Sequence, residues 1–292
     1  MMTDLDADYP GRRDFLSLSM ALAGGLLLGE KASAKEMDAG MPMPRTKAPG
    51  AGRKVAMLVH PRMVLMDLVG PQTIFRILGC DIYLVAKTLE PVSTDVGISV
   101  TPDITFEHCP KDLDVLFVPG GLMGSLVAME DQQTLNFLAD RGAAARYVTS
   151  VCTGGLVLAA AGLLNGYRAT THWGVADLLP LMGAVHDTGR VVQDRNRFTG
   201  GGVTAGLDFG LMLAAQLCGE EAAKHVQLVI EYSPQPPFRS GTPEEVGPER
   251  MIEERKGRVW MDGQARQASE RAAARLGLQT GTVNQGIGHP LT

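Results

Sequence analysis

From Lys54 onward, the hydrophobic positions of the chain fall into two alternating patterns. Short runs of four or five residues that are wholly or mostly apolar predict strands in the interior of a sheet, and stretches with apolar positions every three or four residues predict helices. The predicted strands are 55–59, 82–85, 115–118 and 147–151, and the predicted helices are 67–78, 133–145, 153–164, 203–217 and 220–231. This alternation predicts a three-layer α/β fold, in which a mostly parallel sheet carries helices on both faces.

Two further segments flank this α/β body. Residues 1–34 contain the pair Arg12-Arg13, then a weakly apolar stretch, then Ala32-Ser33-Ala34, the small-residue pattern that a signal peptidase cleaves. The arginine pair resembles a twin-arginine signal, which predicts export of the folded protein to the periplasm by the twin-arginine translocation machinery. An amphipathic helix or a disordered tail is the alternative interpretation. The predicted organisation is a signal peptide (1–34), a flexible lead-in (35–53), an α/β domain (54–243) and a partly helical C-terminal extension (244–292).

Composition narrows the class of protein. The 292 residues include 27 Lys+Arg and 32 Asp+Glu, a net charge of −5, and 45% of them are hydrophobic. This describes a soluble globular protein with no nucleic-acid footprint, and the lack of a long uncharged apolar run predicts no stable membrane anchor. The four cysteines are too sparse for a disulfide scaffold. Because neither the cysteines nor the histidines show paired ligand spacing, we expect no metal and no cofactor.

One cysteine stands where a predicted strand meets a predicted helix. Residues 147–151 form the strand, Cys152 occupies the junction, and Thr153 begins the helix. Ligands bind beyond the carboxyl ends of strands in open parallel sheets, and a sharp strand-to-helix turn exposes its side chain there. The N–H groups at the helix N-terminus favour a thiolate. Cys152 is therefore predicted to be a nucleophile, with a buried structural cysteine as the alternative. The remaining cysteines are predicted to be buried structural cysteines; they are Cys80, Cys109 and Cys218.

A pair of glycines ends the neighbouring predicted strand. Gly120 and Gly121 follow residues 115–118 and Pro119. Their backbone N–H groups, together with that of Thr153, are predicted to hold a developing anion or the substrate. An ordinary turn explains the same glycines equally well.

Two acid–base candidates are ambiguous from position alone. Asp67 lies just beyond the first predicted strand and could project towards the same edge, but a helix cap is the simpler interpretation. His172 follows Cys152 by twenty residues and could accept a thiol proton. It could equally be a core histidine beside Trp173.

Six short segments decide between these interpretations, because they occur together and in the order of one family. They are 65–71 (LMDLVGP), 118–121 (VPGG), 150–155 (SVCTGG), 169–173 (ATTHW), 201–208 (GGVTAGLD) and 231–238 (EYSPQPPF). Through them the chain resembles the ThiJ/PfpI superfamily, relatives of the class I glutamine amidotransferases. Within it, the chain resembles the isonitrile hydratases. The resemblance covers about residues 54–243 and implies a flavodoxin-like fold and a homodimer.

The resemblance also implies roles for the site residues. It raises Asp67 to the catalytic acid/base beside Cys152 as nucleophile, and it makes Thr153 a contributor through its N–H or hydroxyl group. His172 aligns with the histidine that some relatives pair with the cysteine. The implied reaction is hydration of a small-molecule isonitrile to an N-substituted formamide.

Three alternative functions remain open at this stage. The first is another superfamily activity, hydrolytic or glyoxalase-like, that also uses Cys152. The second is a non-enzymatic periplasmic oxidation sensor or ligand-binding protein, because an accessible low-pKa thiol is a good peroxide target. The third, the ligand domain of a transcription regulator, agrees poorly with the export signal and with the lack of a helix-turn-helix segment.

Overall fold

The alternating strands and helices are present in the computed structural model of the chain, which describes residues 48–278. The signal peptide predicted for residues 1–34 lies outside the described residues, as does most of the predicted lead-in. All described residues belong to one compact unit. The three-layer α/β fold with a mostly parallel sheet and a helical C-terminal extension is confirmed.

A seven-stranded sheet forms the middle layer. Its strand order is β10-β11-β7-β6-β1-β2-β5, and every neighbouring pair is parallel except β10 with β11. The strands are β1 (Lys54–Leu58), β2 (Asp81–Ala86), β3 (Val92–Ser93), β4 (Ser99–Val100), β5 (Ile104–Thr105), β6 (Val115–Val118), β7 (Tyr147–Ser150), β8 (Arg168–Ala169), β9 (Val185–His186), β10 (Val191–Asp194) and β11 (Arg197–Gly200). Short ribbons join β3 to β4 and β8 to β9. Because β1, β6, β7 and β11 are parallel, the segments that follow them all leave from one edge of the sheet.

Helices cover both faces of this sheet. They are α1 (Leu65–Ile77), α2 (Leu122–Glu130), α3 (Gln132–Ala144), α4 (Gly154–Ala160), α5 (Ala205–Cys218), α6 (Glu220–Val229), α7 (Pro243–Lys256) and α8 (Val259–Arg275), with a 3-10 helix at Trp173–Met182. One core lies between the sheet and α1, α5 and α6; the other lies between the sheet and α2, α3, α4 and α8. Within residues 48–278, no helix is both long and apolar enough to cross a membrane.

The C-terminal extension packs on the α/β body through α8. Ala265, Ala268 and Ala272 of this helix are fully or almost fully buried in the second core. Their spacing of three and four residues places them on one helix face, and their small side chains allow close approach. Gly257 lies between α7 and α8, whereas Gly263 lies inside α8 without a break.

The start of α1 differs from the prediction and changes the interpretation of Asp67. The helix begins at Leu65, so Asp67 lies inside the first turn rather than at the cap. The cap is supplied from another segment, because Asp95 Oδ1 accepts the N–H of Leu65 at 2.9 Å. Pro71 does not delay the start and is accommodated within the helix. The carboxylate of Asp67 is thus free for another contact.

Candidate active site

Cys152 occupies a strained turn between β7 and α4. Its φ of +54° lies in the left-handed region, which a non-glycine residue adopts at a cost that neighbouring contacts must offset. Its N–H donates to the carbonyl of Gly201 at 2.6 Å. Its carbonyl accepts from the Thr171 hydroxyl at 2.6 Å and from the His172 N–H at 3.3 Å. The backbone of Cys152 is therefore held from both sides in the geometry of a nucleophile elbow.

The structure brings Asp67 to this elbow by way of Gly120. The Gly120 N–H donates to Asp67 Oδ2 at 2.8 Å. A Cβ atom added to Gly120 would lie 2.6 Å from Thr153 N, 2.7 Å from Cys152 Cβ and 2.8 Å from Asp67 Oδ2. Only glycine therefore allows the loop after β6 to pass between the other two segments. Asp67 is fully buried, and its Oδ1 has no partner of ordinary hydrogen-bond geometry among the described residues.

Thr153 is held by a second set of contacts. Its Oγ1 accepts the N–H of Gly121 at 2.9 Å and lies 2.9 Å from the hydroxyl of Ser125 on α2. Together with the bond from Gly120 to Asp67, this means that both glycine N–H groups are donated to side chains in this structure. A substrate anion, predicted to accept these two N–H groups, would have to compete with the side chains of Asp67 and Thr153. In the structure, Gly120 and Gly121 position those two side chains.

The protonation of the site follows mainly from burial. Burial raises the pKa of Asp67 from 3.8 to about 6, against the lowering effects of the hydrogen bonds with Gly120 and with the Cys152 thiol. Burial also raises the pKa of the Cys152 thiol, and the charge of Asp67 raises it further, while the Thr153 N–H lowers it. This is opposite to the thiolate expected from the helix N-terminus, because burial and the nearby carboxylate outweigh one N–H group. At neutral pH the site pairs a thiol with a carboxylate.

His172 makes different contacts from those predicted. Its Nδ1 accepts the N–H of Gly174 at 3.1 Å, so the ring caps the 3-10 helix. Among residues 48–278, no hydrogen bond joins this ring to the Cys152 thiol. Burial, together with the charges of Arg258 and Arg255, lowers the pKa of His172 to about 4. A neutral, capped histidine is a weak acceptor for a thiol proton, so a catalytic role for His172 stays a prediction without a supporting contact.

Three contributors to the site were not singled out from the sequence. Thr171 fixes the Cys152 carbonyl, Ser125 holds Thr153, and His60 is buried against the carbonyl of Pro119. Thr171 lies in the segment ATTHW, which carries the family resemblance, so a signal existed for it. Nothing in the local pattern around Ser125 indicates that its hydroxyl reaches Thr153. In the part of the chain that the structure describes, no cluster of three or more His, Cys, Asp or Glu side chains has the arrangement of a metal site.

This chain is similar to known proteins over the part that contains the α/β fold and the candidate site. Residues 53–216 match the DJ-1/PfpI family. The isonitrile hydratase of Pseudomonas putida is 49% identical over 229 residues, which is 77% of this chain and 99% of that protein. A crystal structure of a THiJ/PfpI family protein from Pseudomonas syringae is 46% identical with a TM-score of 0.73, covering 80% of this chain and 98% of that one. A Parkinson disease protein 7 homolog from Danio rerio is 27% identical over 183 residues, 61% of this chain and 96% of that protein. The predicted flavodoxin-like fold is thereby confirmed.

Proposed function

The chain belongs to the DJ-1/PfpI family, and from that premise we propose that it hydrates isonitriles to N-substituted formamides. Cys152 is the nucleophile and Asp67 the acid and base. The observation that carries the proposal is the pairing of a thiol in a strained elbow with a buried carboxylate whose pKa is about 6. Such a pKa lies near the operating pH, where a group both accepts and returns protons efficiently. The 49% identity to an isonitrile hydratase supports the choice of substrate class.

The protonated thiol suits this reaction, because the terminal carbon of an isonitrile must gain both a nucleophile and a proton. In the first step the sulfur of Cys152 bonds to that carbon, and the thiol proton passes through Asp67 to the same carbon. The product is a thioimidate, in which the carbon is joined to sulfur and doubly bonded to nitrogen. No oxidant or reductant is required.

Water completes the reaction. Asp67 accepts a proton from the attacking water, whose oxygen bonds to the thioimidate carbon while the nitrogen becomes protonated. The carbon–sulfur bond then breaks, the sulfur regains its proton, and an N-substituted formamide leaves. The sum is one isonitrile plus one water giving one formamide. Thr153 supports the elbow throughout, with its N–H directed at the sulfur and its hydroxyl fixed by Gly121 and Ser125.

Formamide production from isonitriles tests this proposal. We expect Cys152→Ala to lose at least about a thousand-fold in kcat/KM, the scale of removing a covalent nucleophile. Asp67→Asn should lose about a hundred-fold or more, the scale of general acid–base catalysis. Cys218→Ala, which alters a half-buried cysteine outside the site, is the matched control and should keep full activity. Full activity in Cys152→Ala would exclude the mechanism.

The pH dependence of the wild-type enzyme gives a second measurement. Asp67 must be ionised to accept a proton, so kcat/KM should rise with pH through a value of about 6. The thiol does not limit this rise, because its pKa is raised and the protonated form is the reactant. The Asp67→Asn variant should have residual activity without this limb. An unchanged limb in Asp67→Asn would assign the titration to another group.

The oxidation-sensor alternative receives no support from the site as it stands. Peroxide reacts with a thiolate, and both burial and Asp67 disfavour the thiolate of Cys152. Other superfamily activities, hydrolytic or glyoxalase-like, depend on the same cysteine. They are separated from hydration by the substrates that the wild-type enzyme turns over.

Export to the periplasm and homodimer formation are further proposals, based on the sequence and on the family resemblance. Replacing Arg12 and Arg13 together by lysine keeps the charge but removes the arginine pair, and should leave the protein in the cytoplasm in a fractionation experiment. Replacing Lys31 by arginine is the control and should leave export unchanged. Sedimentation of the purified protein checks the predicted homodimer.

A further inference from the structure

A cavity of about 270 Å³ lies beside the backbone of Cys152. Two of its lining residues contact Cys152 directly: the Thr171 hydroxyl donates to the Cys152 carbonyl, and the Gly201 carbonyl accepts the Cys152 N–H, both at 2.6 Å. Trp173 and Ala176 line another side of the cavity. Its volume is near the lower end of the range for small-molecule sites, about 300 Å³ and upward.

The C-terminal extension and the segment leading into it supply the outer wall of this cavity. Residues 241–244, at the start of α7, line the cavity opposite the elbow segment. Beyond this wall, the C-terminal end of α7 and the start of α8 are fixed to the body beside Trp173. Arg255 donates to the carbonyl of Gly174 at 2.9 Å, and the guanidinium groups of Arg255 and Arg258 each lie 5.3 Å from the centre of the Trp173 ring. Asp262 pairs with both arginines at 3.1 Å. Residues 241–244 themselves are mostly exposed, and a kink at Gly247 separates them from Arg255.

The geometry of the substrate gives this cavity a role. An isonitrile is linear from its terminal carbon through nitrogen to the substituent. When the sulfur of Cys152 bonds to the terminal carbon, the nitrogen and its substituent extend away from the sulfur. The substituent must therefore occupy space beside Cys152. We propose that the cavity binds the N-substituent of the isonitrile, and that residues 241–244, at the boundary between the α/β domain and the C-terminal extension, thereby select substrates by the size of that substituent. This inference rests on the proposed function.

A second cavity of about 220 Å³ lies between α1 and α5 and is the competing location. It is lined by Met66, Val69 and Thr73 of α1 and by Leu207 of α5, among others. None of its lining residues hydrogen-bonds to Cys152, and it is not bordered by the extension. The cavity at Thr171 and Gly201 is favoured because two of its lining residues hydrogen-bond to the backbone of Cys152.

Two probes of different size test the inference with the full-length enzyme: methyl isonitrile and benzyl isonitrile. Gly241 lines the cavity from the extension side, and a Cβ there meets its nearest atom at 3.5 Å, which is ordinary contact. Gly241→Leu should therefore fold and reduce the available volume. We expect kcat/KM for benzyl isonitrile to fall about 10-fold, mainly through KM, and that for methyl isonitrile to change less than about 2-fold. Thr73→Phe adds bulk to the other cavity and should leave the ratio of the two rates unchanged.

A binding measurement adds a readout that does not depend on turnover. The chain contains two tryptophans, and Trp260 is 64% exposed on α8. In a Trp260→Phe background, the fluorescence of Trp173 should change on titration with N-benzylformamide, the product, and Gly241→Leu should weaken this binding about 10-fold. Equal effects of Gly241→Leu on both isonitriles, no effect on either, or a size-dependent loss in Thr73→Phe instead would overturn the inference alone. Turnover of neither isonitrile by the wild-type enzyme would overturn the proposed function and this inference with it.

Discussion

Two buried cysteines of this protein, Cys152 and Cys80, differ in what surrounds their sulfur atoms. Cys152 is 5% exposed and Cys80 1% exposed, and burial raises the thiol pKa of both, that of Cys80 to about 12. Cys80 follows α1 and packs in the apolar core with residues such as Phe75 and Leu78. The influences on its pKa other than burial are charges and a second thiol, Cys218, and none of them is a hydrogen bond.

Cys152 has the polar neighbours that Cys80 lacks. Hydrogen bonding and charge couple its thiol to Asp67, and the Thr153 N–H is directed at it. Its backbone is strained, with φ at +54°, and is held by Thr171 and Gly201. Low exposure by itself therefore makes an unreactive thiol, as is expected of Cys80. A carboxylate placed beside the thiol, in a fixed elbow, gives it an acid–base partner.

Among the substitutions that test this difference between the two cysteines, adding a side chain at Gly120 should have the strongest effect. Gly120 lies between Asp67 and Cys152. Gly120→Ala should lose about a hundred-fold or more of the proposed hydration activity, because its Cβ would overlap Thr153 N, Cys152 Cβ and Asp67 Oδ2. Overpacking should also cost about 1–3 kcal/mol in the free energy of unfolding, measured in urea. Gly263→Ala is the control, since nothing lies within 4 Å of the added Cβ in α8, and it should be neutral or slightly stabilising. Full activity in Gly120→Ala would show that the close approach is not required.

A smaller effect is expected on stability when the charge at the elbow is removed. The folded-state pKa of Asp67 is raised from 3.8 to about 6, so its favourable contribution to stability is present below about pH 4 and is lost as pH rises through about 6. Asp67→Asn removes this dependence while keeping an oxygen that can accept the Gly120 N–H. Relative to wild type, the variant should gain stability between those pH values, up to about 3 kcal/mol.

Urea unfolding of both proteins at a series of pH values measures that gain. The matched substitution is Asp112→Asn, which alters an exposed aspartate paired with Lys54. It should show no such gain as pH rises. A constant difference between wild type and Asp67→Asn across the pH range would mean that the carboxyl is not desolvated in the folded protein.

The third and smallest effect concerns the rate at which the thiols of Cys152 and Cys80 are alkylated. Removing the carboxylate in Asp67→Asn lowers the pKa of Cys152, and the thiolate is the form that reacts with iodoacetamide. Alkylation of Cys152 should therefore be faster in the variant than in wild type. Cys80, followed in the same peptide digest by mass spectrometry, should not change. Equal acceleration at both cysteines would indicate a general loosening of the fold instead of a local charge effect.

Much of the fold and part of the site are predictable from the sequence. The segments 55–59, 82–85, 115–118 and 147–151 correspond to strands in the interior of the sheet, because such strands are rich in apolar residues. The strands β5, β10 and β11, the short ribbons, α2 and the 3-10 helix were not predicted. β5 and β10 lie at the two edges of the sheet, where pairing depends on the neighbouring strand more than on the strand's own pattern.

From the sequence alone, Cys152 can be located between a strand and a helix, and Gly120 can be located just after a neighbouring strand. Local pattern and strand direction are enough for this, because the ends of parallel strands meet at one edge of the sheet. The family resemblance further pointed to Asp67, which position alone had favoured as a helix cap.

How these groups affect each other's protonation depends on the folded arrangement. Asp67 and Cys152 are 85 positions apart in the chain, and their protonation depends on how completely the fold removes water from both. The sequence favoured a thiolate from the helix N-terminus, whereas burial and the adjacent carboxylate keep the thiol protonated. The cavity lined by residues 241–244 and by Thr171 and Gly201 likewise joins segments distant in sequence. Desolvation and close packing arise from segments distant in sequence, so no local pattern specifies them.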